Sequence, residues 1–466
     1  MTSTEQQIYY DQNPKARWLA LLSVCLSLFI VILTMSATNI AIPVIARDLN
    51  ASAVAVSWIP TAVVWGMIVV LLPVARVADI HGRKKIYVVG IVSFSLVSLF
   101  IFLVEDIESL LVLRVLQGFS SAMINGTGMA IVGAIFSNSN RGTALGISSA
   151  SVYLGLSCGP LVGGLITEYI HWRAIFWMPV SVMLISLSLV FFYLKGEWKN
   201  DKPEPLDWIG SALFALWVSL FFIGASGLPE LKHGLLMMLG LVLLVVFLKQ
   251  QARAKHPLIR LKILSQNRMF SRSILSSFLM YSAHFSSAFL LILYLQYIHD
   301  LTPLEAGKLV LVQTVIMMVL APISGRLSDK YEPRIIATIG CLAFTLGFAL
   351  LFWVNMTSPL TLIFVSLVLQ GIGFGFFSSP NNNATIGSAD KKTLSIATVL
   401  LSLSRTMGNM FGTVVVMVLI TVMLGDAEIQ PHNYPQLLWV IKITFAFSFF
   451  TSLIAAYFSF SRGKIY

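Results

Sequence analysis

The chain has 466 residues, of which 57% are hydrophobic and only 11% are charged, and its mean hydropathy is +0.85. Soluble domains carry about 25% charged residues, so this composition excludes a soluble globule and predicts a protein that crosses the lipid bilayer many times. The net charge of +11 would suit nucleic acid, but the basic residues lie in short clusters between apolar runs, which argues against that partner. The three cysteines fall inside apolar runs without metal-binding spacing, so neither a metal site nor a disulfide is expected.

Hydropathy and helix-breaking residues predict fourteen membrane-spanning helices. In chain order, the spans are expected near residues 17–42, 52–75, 86–104, 109–132, 142–168, 174–194, 208–228, 233–249, 270–297, 304–326, 335–355, 358–379, 392–423 and 435–460. The predicted fold class is therefore an all-α membrane protein.

Basic residues are distributed unevenly between the loops on the two sides of the membrane. If both termini are cytoplasmic, the outer loops contain only Arg47, Arg173, Lys232 and Lys308, and most of the 31 lysines and arginines lie inside. This asymmetry agrees with the positive-inside rule, so both termini are expected in the cytoplasm.

Two long polar loops, 195–207 and 250–267, separate the seventh and eighth spans from the others. The pattern of residues 75–84, after the second span, recurs at 325–334, after the tenth, which indicates duplicated halves. We expect an N-terminal six-helix half at 1–194, a loop with an inserted helix pair and a basic loop at 195–269, and a C-terminal six-helix half at 270–466.

The fourth predicted span carries polar residues on one helical face: Arg114, Gln117 and Asn125. An arginine at the centre of a membrane helix costs about 2.5–3.5 kcal/mol on insertion scales, and such a residue almost always faces a cavity or a partner. The alternative is that Arg114 extends its side chain to the outer membrane surface.

The fifth predicted span is rich in glycine. Gly155, Gly159 and Gly163 recur every four residues, which leaves one helical face nearly bare and lets another backbone approach closely. Pro160 removes one backbone donor, which a membrane helix tolerates only when surrounding protein satisfies the freed carbonyl. The pattern predicts a buried, bendable helix, and an ordinary small-residue packing seam is the simpler interpretation.

Three stretches together resemble the major facilitator superfamily. The spacing in the fifth span resembles the antiporter motif of its exporters, and it consists of Gly146, Gly155, Gly159, Pro160, Gly163 and Gly164. Residues 75–84 resemble the loop between the second and third helices of that superfamily, and residues 113–118 resemble its fourth-helix motif. With fourteen spans, the chain is similar to the drug:proton antiporter branch, which implies a major facilitator fold of six, two and six helices.

The resemblance implies roles for two groups of residues. Asp79, Gly82 and Arg83 would form a cytoplasmic latch, because an acid at a helix end can hold a basic residue and another helix N-terminus in only one conformation. Gly325 and Asp329 would be its weaker counterpart in the second half. The fifth helix would form part of a sliding interface between the halves.

The first predicted span departs from the branch. The branch usually has an acid there, and this chain has Thr34 in its place, although Asn39 and Pro43 match. None of the twenty acidic residues lies near the middle of a predicted span. The proton or the substrate must therefore be bound by another kind of residue.

The remaining candidates inside the spans are cationic or titratable. His284 is the only mid-span histidine and titrates near neutral pH, so it is a candidate for proton coupling, with simple packing as the alternative. Arg405 and Asn409 share a helical face and are expected, with Arg114 and Lys442, to line a cationic cavity.

We therefore expect a secondary transporter that exports a small organic compound across a bacterial inner membrane, in a multidrug-efflux-like manner. The proton gradient would supply the energy, no cofactor would be needed, and the protein would act as a monomer, with accessory export proteins left open. One alternative is export of an anionic or zwitterionic metabolite, such as a carboxylate siderophore, which the cationic cavity suggests. A membrane enzyme is disfavoured because the chain contains no H-E-x-x-H, G-x-S-x-G or phosphate-loop motif.

Overall fold

The computed structural model describes residues 3–136, 141–199, 205–259, 261, 266–328, 330–388, 394–425 and 427–463. Within these ranges, fourteen helices are long and apolar enough to cross a membrane, and no strand occurs. The predicted all-α class and the number of spans are confirmed.

The spanning helices are numbered here in chain order, after a short helix at Ser3–Gln12. They are α1 Pro14–Asp48, α2 Ala53–His81, α3 Arg83–Phe102, α4 Ile107–Ile135, α5 Arg141–Tyr169, α6 Ala174–Tyr193, α7 Trp208–Ser226, α8 Leu231–Arg253, α9 Arg268–Leu293, α10 Pro303–Ser328, α11 Pro333–Leu351, α12 Leu360–Gly387, α13 Leu394–Met423 and α14 Tyr434–Ser461. A π-helical turn, Tyr294–Ile298, extends α9, and a 3-10 turn, Pro431–Asn433, precedes α14.

Several helices extend beyond the apolar runs that predicted them. The helix α1 continues to Asp48, α2 to His81 and α12 to Gly387, several residues past the expected ends at 42, 75 and 379. Backbone hydrogen bonds continue through a polar last turn, whereas hydropathy detects only the apolar part of a helix.

The helix pairs of the first half recur in the second. The main pairs among the first six helices are α1·α5, α1·α6, α2·α4, α3·α4 and α3·α6, and the corresponding pairs among the last six are α9·α13, α9·α14, α10·α12, α11·α12 and α11·α14. Each helix of the first half thus has a counterpart eight helices later, as expected for an internal repeat. The domain boundaries at 194 and 269 stay predictions.

The two halves meet along the pairs α5·α10 and α2·α13. The inserted pair α7–α8 packs mainly on itself, and α7 touches α2 and α13. An even number of crossings places both termini at one end of the bundle, called here the terminal side, together with the α2–α3 loop. The opposite end, with the α1–α2 loop, is called the far side.

Candidate functional site

The bare face of α5 packs on α1, inside the first half. A Cβ atom on Gly155 or Gly163 would lie 2.5 Å from a backbone oxygen of α1, and one on Gly159 would lie 2.4 Å from the Cβ of Ser36. The Ser36 hydroxyl also donates to the carbonyl oxygen of Leu156 at 3.2 Å. The three glycines therefore form a tight seam that ties α5 to the first helix of its own half.

A different side of α5 faces α10 of the second half. A Cβ atom on Gly307 would lie 2.3 Å from the carbonyl oxygen of Pro160, and one on Gly164 would lie 2.8 Å from the Cα of Leu304. The glycine and proline motif thus serves two contacts, one within a half and one between the halves. Gly146 is exposed and has no atom within 4 Å of its Cβ position, so it takes part in neither.

Hydrogen bonds join the two halves from the middle of the bundle to the far side. They are Tyr153 Oη to Ser378 Oγ at 2.5 Å, Ser157 Oγ to Thr314 O at 3.0 Å, Gln296 Nε2 to Ile40 O at 2.8 Å, Leu304 N to Glu168 Oε2 at 3.1 Å and Ala53 N to Ala427 O at 3.0 Å. The halves are therefore held together at the far side in this conformation.

On the terminal side, the predicted latch residues lie in one turn between α2 and α3. Arg83 donates to Asp79 Oδ1 from Nε at 3.1 Å and from Nη2 at 2.9 Å. Gly82 has a φ of +112°, and a Cβ atom there would collide with the carboxylate of Glu197. That carboxylate accepts from the backbone N–H of Lys84 at 2.7 Å, so it caps the N-terminus of α3.

Glu197 belongs to a loop that is held from two directions. The Tyr10 hydroxyl accepts from the backbone N–H of Lys195 at 2.8 Å, and the Tyr10 ring stacks on Trp198 at 6.3 Å. Trp198 in turn accepts at its carbonyl from the N–H of Arg83 at 2.9 Å. The loop after α6 thus connects the N-terminal helix to the latch turn, a role that the sequence did not reveal.

The second-half counterpart of the latch is described only in part. A Cβ atom on Gly325 would lie 2.6 Å from the Oγ of Ser379, so this glycine permits close packing of α10 on α12. Asp329 and residues 389–393, which precede α13, lie outside the described residues.

Arg114 is buried within the first half, with 1% of its surface exposed. Its Nη1 donates to Gln117 Oε1 at 2.6 Å, its Nε donates to the carbonyl oxygen of Ile59 at 3.3 Å, and its guanidinium lies 5.6 Å from the ring centre of Phe176. Gln117 continues the chain of bonds to the hydroxyl of Ser98 at 3.2 Å. These neutral partners come from α2, α3, α4 and α6, so Arg114 stabilises the packing of the first half here.

Three other predicted polar residues are also in the first half. The Thr34 hydroxyl donates to Ile30 O at 2.7 Å, and the Asn125 amide donates to Ser121 O at 2.9 Å, so each bonds the backbone of its own helix. Asn39 is half-buried on α1.

Arg405 lies in a polar group that we call the central cluster, composed of Tyr153, Tyr281, Asn382, Arg405 and Asn409. Arg405 Nη2 donates to Asn382 Oδ1, and its guanidinium lies 5.4 Å from the ring centre of Tyr281. Tyr153, from α5 of the other half, bonds Ser378 Oγ at 2.5 Å and is close enough to Tyr281 for electrostatic interaction between the two hydroxyls. Arg405 Nε and Asn409 Oδ1 are both buried without a hydrogen-bond partner.

His284 lies beside the central cluster, three residues after Tyr281 on α9. Its Nδ1 is 3.4 Å from the Nε2 of Gln313 on α10. Its ring centre is 4.6 Å from that of Phe374 and 6.0 Å from that of Phe344. The structure thus places this titratable ring between a neutral amide and aromatic rings.

Lys442 is not among the contacts of the central cluster. Its Nζ lies 5.7 Å from the ring centre of Trp439, whose side chain is 60% exposed on the outside of α14. Of the predicted mid-span cations, the structure brings only Arg405 together with His284 and with residues from both halves.

Comparison with known proteins supports this arrangement. A family model described as the Major Facilitator Superfamily matches residues 24–413 and 273–464. The riboflavin transporter RibZ of Clostridioides difficile is 28% identical over 402 residues, 86% of this chain and 87% of that protein. The tetracenomycin C resistance and export protein of Streptomyces glaucescens is 26% identical, covering 88% of this chain and 77% of that protein. The drug efflux pump JefA of Mycobacterium tuberculosis is 26% identical, covering 89% and 82% respectively.

Solved transporter structures share the fold at lower identity. A bacterial homologue of the human lysosomal transporter Spinster, in an inward-facing and unoccupied conformation, matches with a TM-score of 0.67 and 15% identity, over 96% of this chain and 97% of that one. A peptide transporter, POT, in complex with alafosfalin matches with a TM-score of 0.69 and 14% identity, over 94% and 93%.

Proposed function

Since the chain belongs to the major facilitator superfamily, we propose that it exports a small organic compound across a bacterial inner membrane, as a secondary active transporter of the drug:proton antiporter kind. Relatives named for drug efflux, tetracenomycin C export and riboflavin transport support this class. The observation that carries the proposal is the two-sided packing of α5, which has a glycine seam to α1 of its own half and a close backbone contact with α10 of the other half.

The two contacts of α5 suit alternating access. The seam of Gly155, Gly159 and Gly163 on α1 lets the first six helices move as one body. At the contact with α10, Gly307 meets the carbonyl oxygen of Pro160 with no side chain of its own between the helices. We infer that α10 slides along α5 there once the bonds of Ser157 and Glu168 to α10 break. Rocking of α1–α6 against α9–α14 would then open one side of the membrane at a time.

Export is the proposed direction, and relatives named for export and efflux support it. With both termini in the cytoplasm, the far side is the outer side, and the bonds that join the halves there keep the outside closed. A substrate would enter from the terminal side and leave after those bonds break. The protein would act as a monomer without a cofactor.

A proton gradient is the proposed energy source, and His284 is the proposed proton carrier. None of the acidic residues in the described spanning helices lies near the middle of its helix, which leaves His284 as the mid-span candidate for binding and releasing a proton. His284 lies beside the central cluster, where a change in its charge would act on a bound substrate and on Gln313 of α10.

Transport into liposomes tests the proposal. Purified protein, reconstituted with its terminal side outward, is given an outward-directed or inward-directed pH gradient and one of three fluorescent compounds: cationic ethidium, anionic fluorescein or neutral riboflavin. We expect at least one to accumulate only when the lumen is acidic, and a protonophore to abolish this accumulation. Equal uptake with either gradient, or uptake that survives the protonophore, would contradict proton-coupled export.

Export of anionic or zwitterionic metabolites is the second candidate. The specific observation in its favour is Arg405, a cation in the central cluster whose described partners are all neutral.

A further inference from the structure

The central cluster has unused capacity to bind a ligand. The Nη2 of Arg405 donates to Asn382, whereas its Nε is buried without a hydrogen-bond partner. The Oδ1 of Asn409, one helical turn further along α13, is also buried without a partner. Buried polar atoms are almost always bonded in folded proteins, so an unpaired donor and an unpaired acceptor on successive turns of one helix indicate a place where something else binds. The residues of the cluster are half-buried and come from helices of both halves.

The positive charge of Arg405 defines which chemical group the ligand must carry. Arginine stays protonated in proteins, and the buried, unpaired Nε–H of Arg405 forms its strongest hydrogen bonds with a negatively charged acceptor. In the spanning helices that the structure describes, acids occur only in the turns next to the helix ends, so none supplies the missing charge at this depth. An anionic group on a ligand would both neutralise the charge of Arg405 and accept a hydrogen bond from its unpaired Nε–H.

Aromatic side chains define the rest of the ligand. The Tyr281 ring lies 5.4 Å from the Arg405 guanidinium, and Phe374 packs edge-on to Tyr281 at 5.1 Å and beside His284 at 4.6 Å. Tyr153 reaches the same place from α5. Such a group of rings favours a planar aromatic body over a flexible polar chain.

We propose that the central cluster binds aromatic organic anions, with the carboxylate, sulfonate or phosphate of the ligand on Arg405 and its ring against Tyr281. This inference rests on the proposed transport function and assigns its substrate class. Arg405 belongs to the second half and Tyr153 to the first, so a bound anion contacts both halves and can shift the balance between conformations. Arg114 has no part in this site, because its guanidinium is enclosed by α2, α3, α4 and α6.

Matched ligands that differ in one charged group test the assignment. Binding to the detergent-solubilised full-length protein is measured at equilibrium for riboflavin against flavin mononucleotide, and for naphthalene methanol against naphthalene sulfonate. We expect the anion of each pair to bind at least ~10-fold more tightly, as charge-assisted hydrogen bonds to a buried arginine should allow. Equal affinities within both pairs, or no binding of either anion, would overturn the proposal.

Variants locate the effect. Arg405→Gln should remove the preference for the anion and keep binding of the neutral partner within about twofold, which also shows that the variant is folded. Arg405→Lys should retain part of the preference. Lys442→Gln, which removes another mid-span cation beside the exposed Trp439, should retain all of it. Tyr281→Leu should weaken the binding of both ligands of a pair by the same factor. This variant tests the site even if Arg405→Gln does not fold.

The outcome is separable from that of the export proposal, because equilibrium binding needs no gradient. An anion preference that survives Arg405→Gln, or that disappears in Lys442→Gln, overturns the site. An anion preference that depends on Arg405, together with transport that ignores the pH gradient, rejects proton-coupled export and leaves the site intact.

Discussion

The helices α5 and α13 hold equivalent places in the two halves, and both use glycine in the same way. Each packs on the first helix of its own half and on a helix of the other half: α5 on α1 and α10, and α13 on α9 and α2. A Cβ atom on Gly408 would lie 2.4 Å from Phe278 O, and one on Gly412 would lie 2.2 Å from Ser282 O, as close as the approach of α5 to α1. A glycine seam to the first helix is therefore common to both halves.

The two helices differ in what they present away from the seam. Pro160 and Gly164 of α5 meet α10 backbone to backbone, beside hydrogen bonds from α5 side chains, whereas α13 carries Arg405 and Asn409 toward the central cluster. The backbone contact of α5 with α10 suits motion, whereas the polar side chains that α13 adds to the central cluster suit recognition. The same seam supports both, because a helix locked to its neighbour can hold either a sliding surface or a charged side chain in a fixed position.

The largest expected effect comes from filling the two seams. Gly159→Leu and Gly408→Leu each place a side chain where the neighbouring helix leaves no room, and overpacking of this kind costs ~1–3 kcal/mol or more. We expect both variants to insert into the membrane, to abolish transport and to unfold at lower temperature, as followed by a thermal-shift assay.

Gly146→Leu is the matched control for the seams, since that glycine has open space around its Cβ position. It should transport at the wild-type rate. Full transport by well-expressed Gly159→Leu would remove α5 from the mechanism, and a tolerated Gly408→Leu would break the equivalence of the two seams.

A somewhat smaller effect is expected at the sliding surface. Gly307→Leu collides with the carbonyl oxygen of Pro160 across the halves and touches no seam. The halves should stay folded, but the far side should close less completely, with most transport lost. Distances between spin labels on the far-side loops should be longer than in wild type. They should also be longer than in the control variant Gly387→Leu, where an added Cβ atom would have open space around it. Unchanged distances would mean that α5 and α10 do not need to approach closely.

The general fold could be predicted because few backbone conformations can cross a membrane. A long apolar run must satisfy its backbone internally, so each run became a helix. The glycine spacing on α5 defined a bare face, but periodicity does not say which helix that face meets. That the face of Gly155 meets α1 and Pro160 meets α10 depends on packing between distant parts of the chain.

The site was predictable only where a residue is unusual for its environment. Arg405 and His284 stood out as polar groups in apolar spans, whereas Asn382 and Tyr153 come from other helices and no local pattern marked them. Tyr281 could have been found, because it precedes His284 by three residues and so shares its helical face. Glu197 lies in a polar loop where an acid is ordinary.

Substitutions of His284, the proposed proton carrier, test whether proton coupling depends on the region of the central cluster. His284→Ala should reduce the dependence of transport on the pH gradient several-fold, because the titrating group beside the central cluster is lost, and His284→Gln should do the same while preserving bulk. The measurement is the initial rate in liposomes at several imposed gradients. His299→Gln, which changes another histidine of the same half near Tyr294, should respond like wild type. If His284→Ala keeps the full gradient-driven transport rate, then His284 is not the proton carrier.

The smallest effect on transport is expected from substitutions in the latch turn between α2 and α3. These should change the balance of conformations and leave ligand binding unchanged. The side chains of Asp79 and Arg83 are 27% and 26% exposed and lie four residues apart, and exposed pairs of this kind contribute ~0.2–1 kcal/mol. Glu197, as a charged cap of α3, contributes a similar ~0.3–1 kcal/mol. A change of about 1 kcal/mol shifts a two-state population about fivefold, so Asp79→Asn and Glu197→Gln should each alter the balance of conformations by no more than that.

Both latch variants should bind flavin mononucleotide as the wild type does, because the turn between α2 and α3 shares no contact with the central cluster. Distances between spin labels on the terminal side, measured with and without this ligand, report the populations. Identical populations in Asp79→Asn and wild type would remove the latch from the mechanism. A loss of ligand affinity in either variant would show instead that motion and recognition are not divided between separate parts of the molecule, and the contrast between α5 and α13 would then describe packing alone.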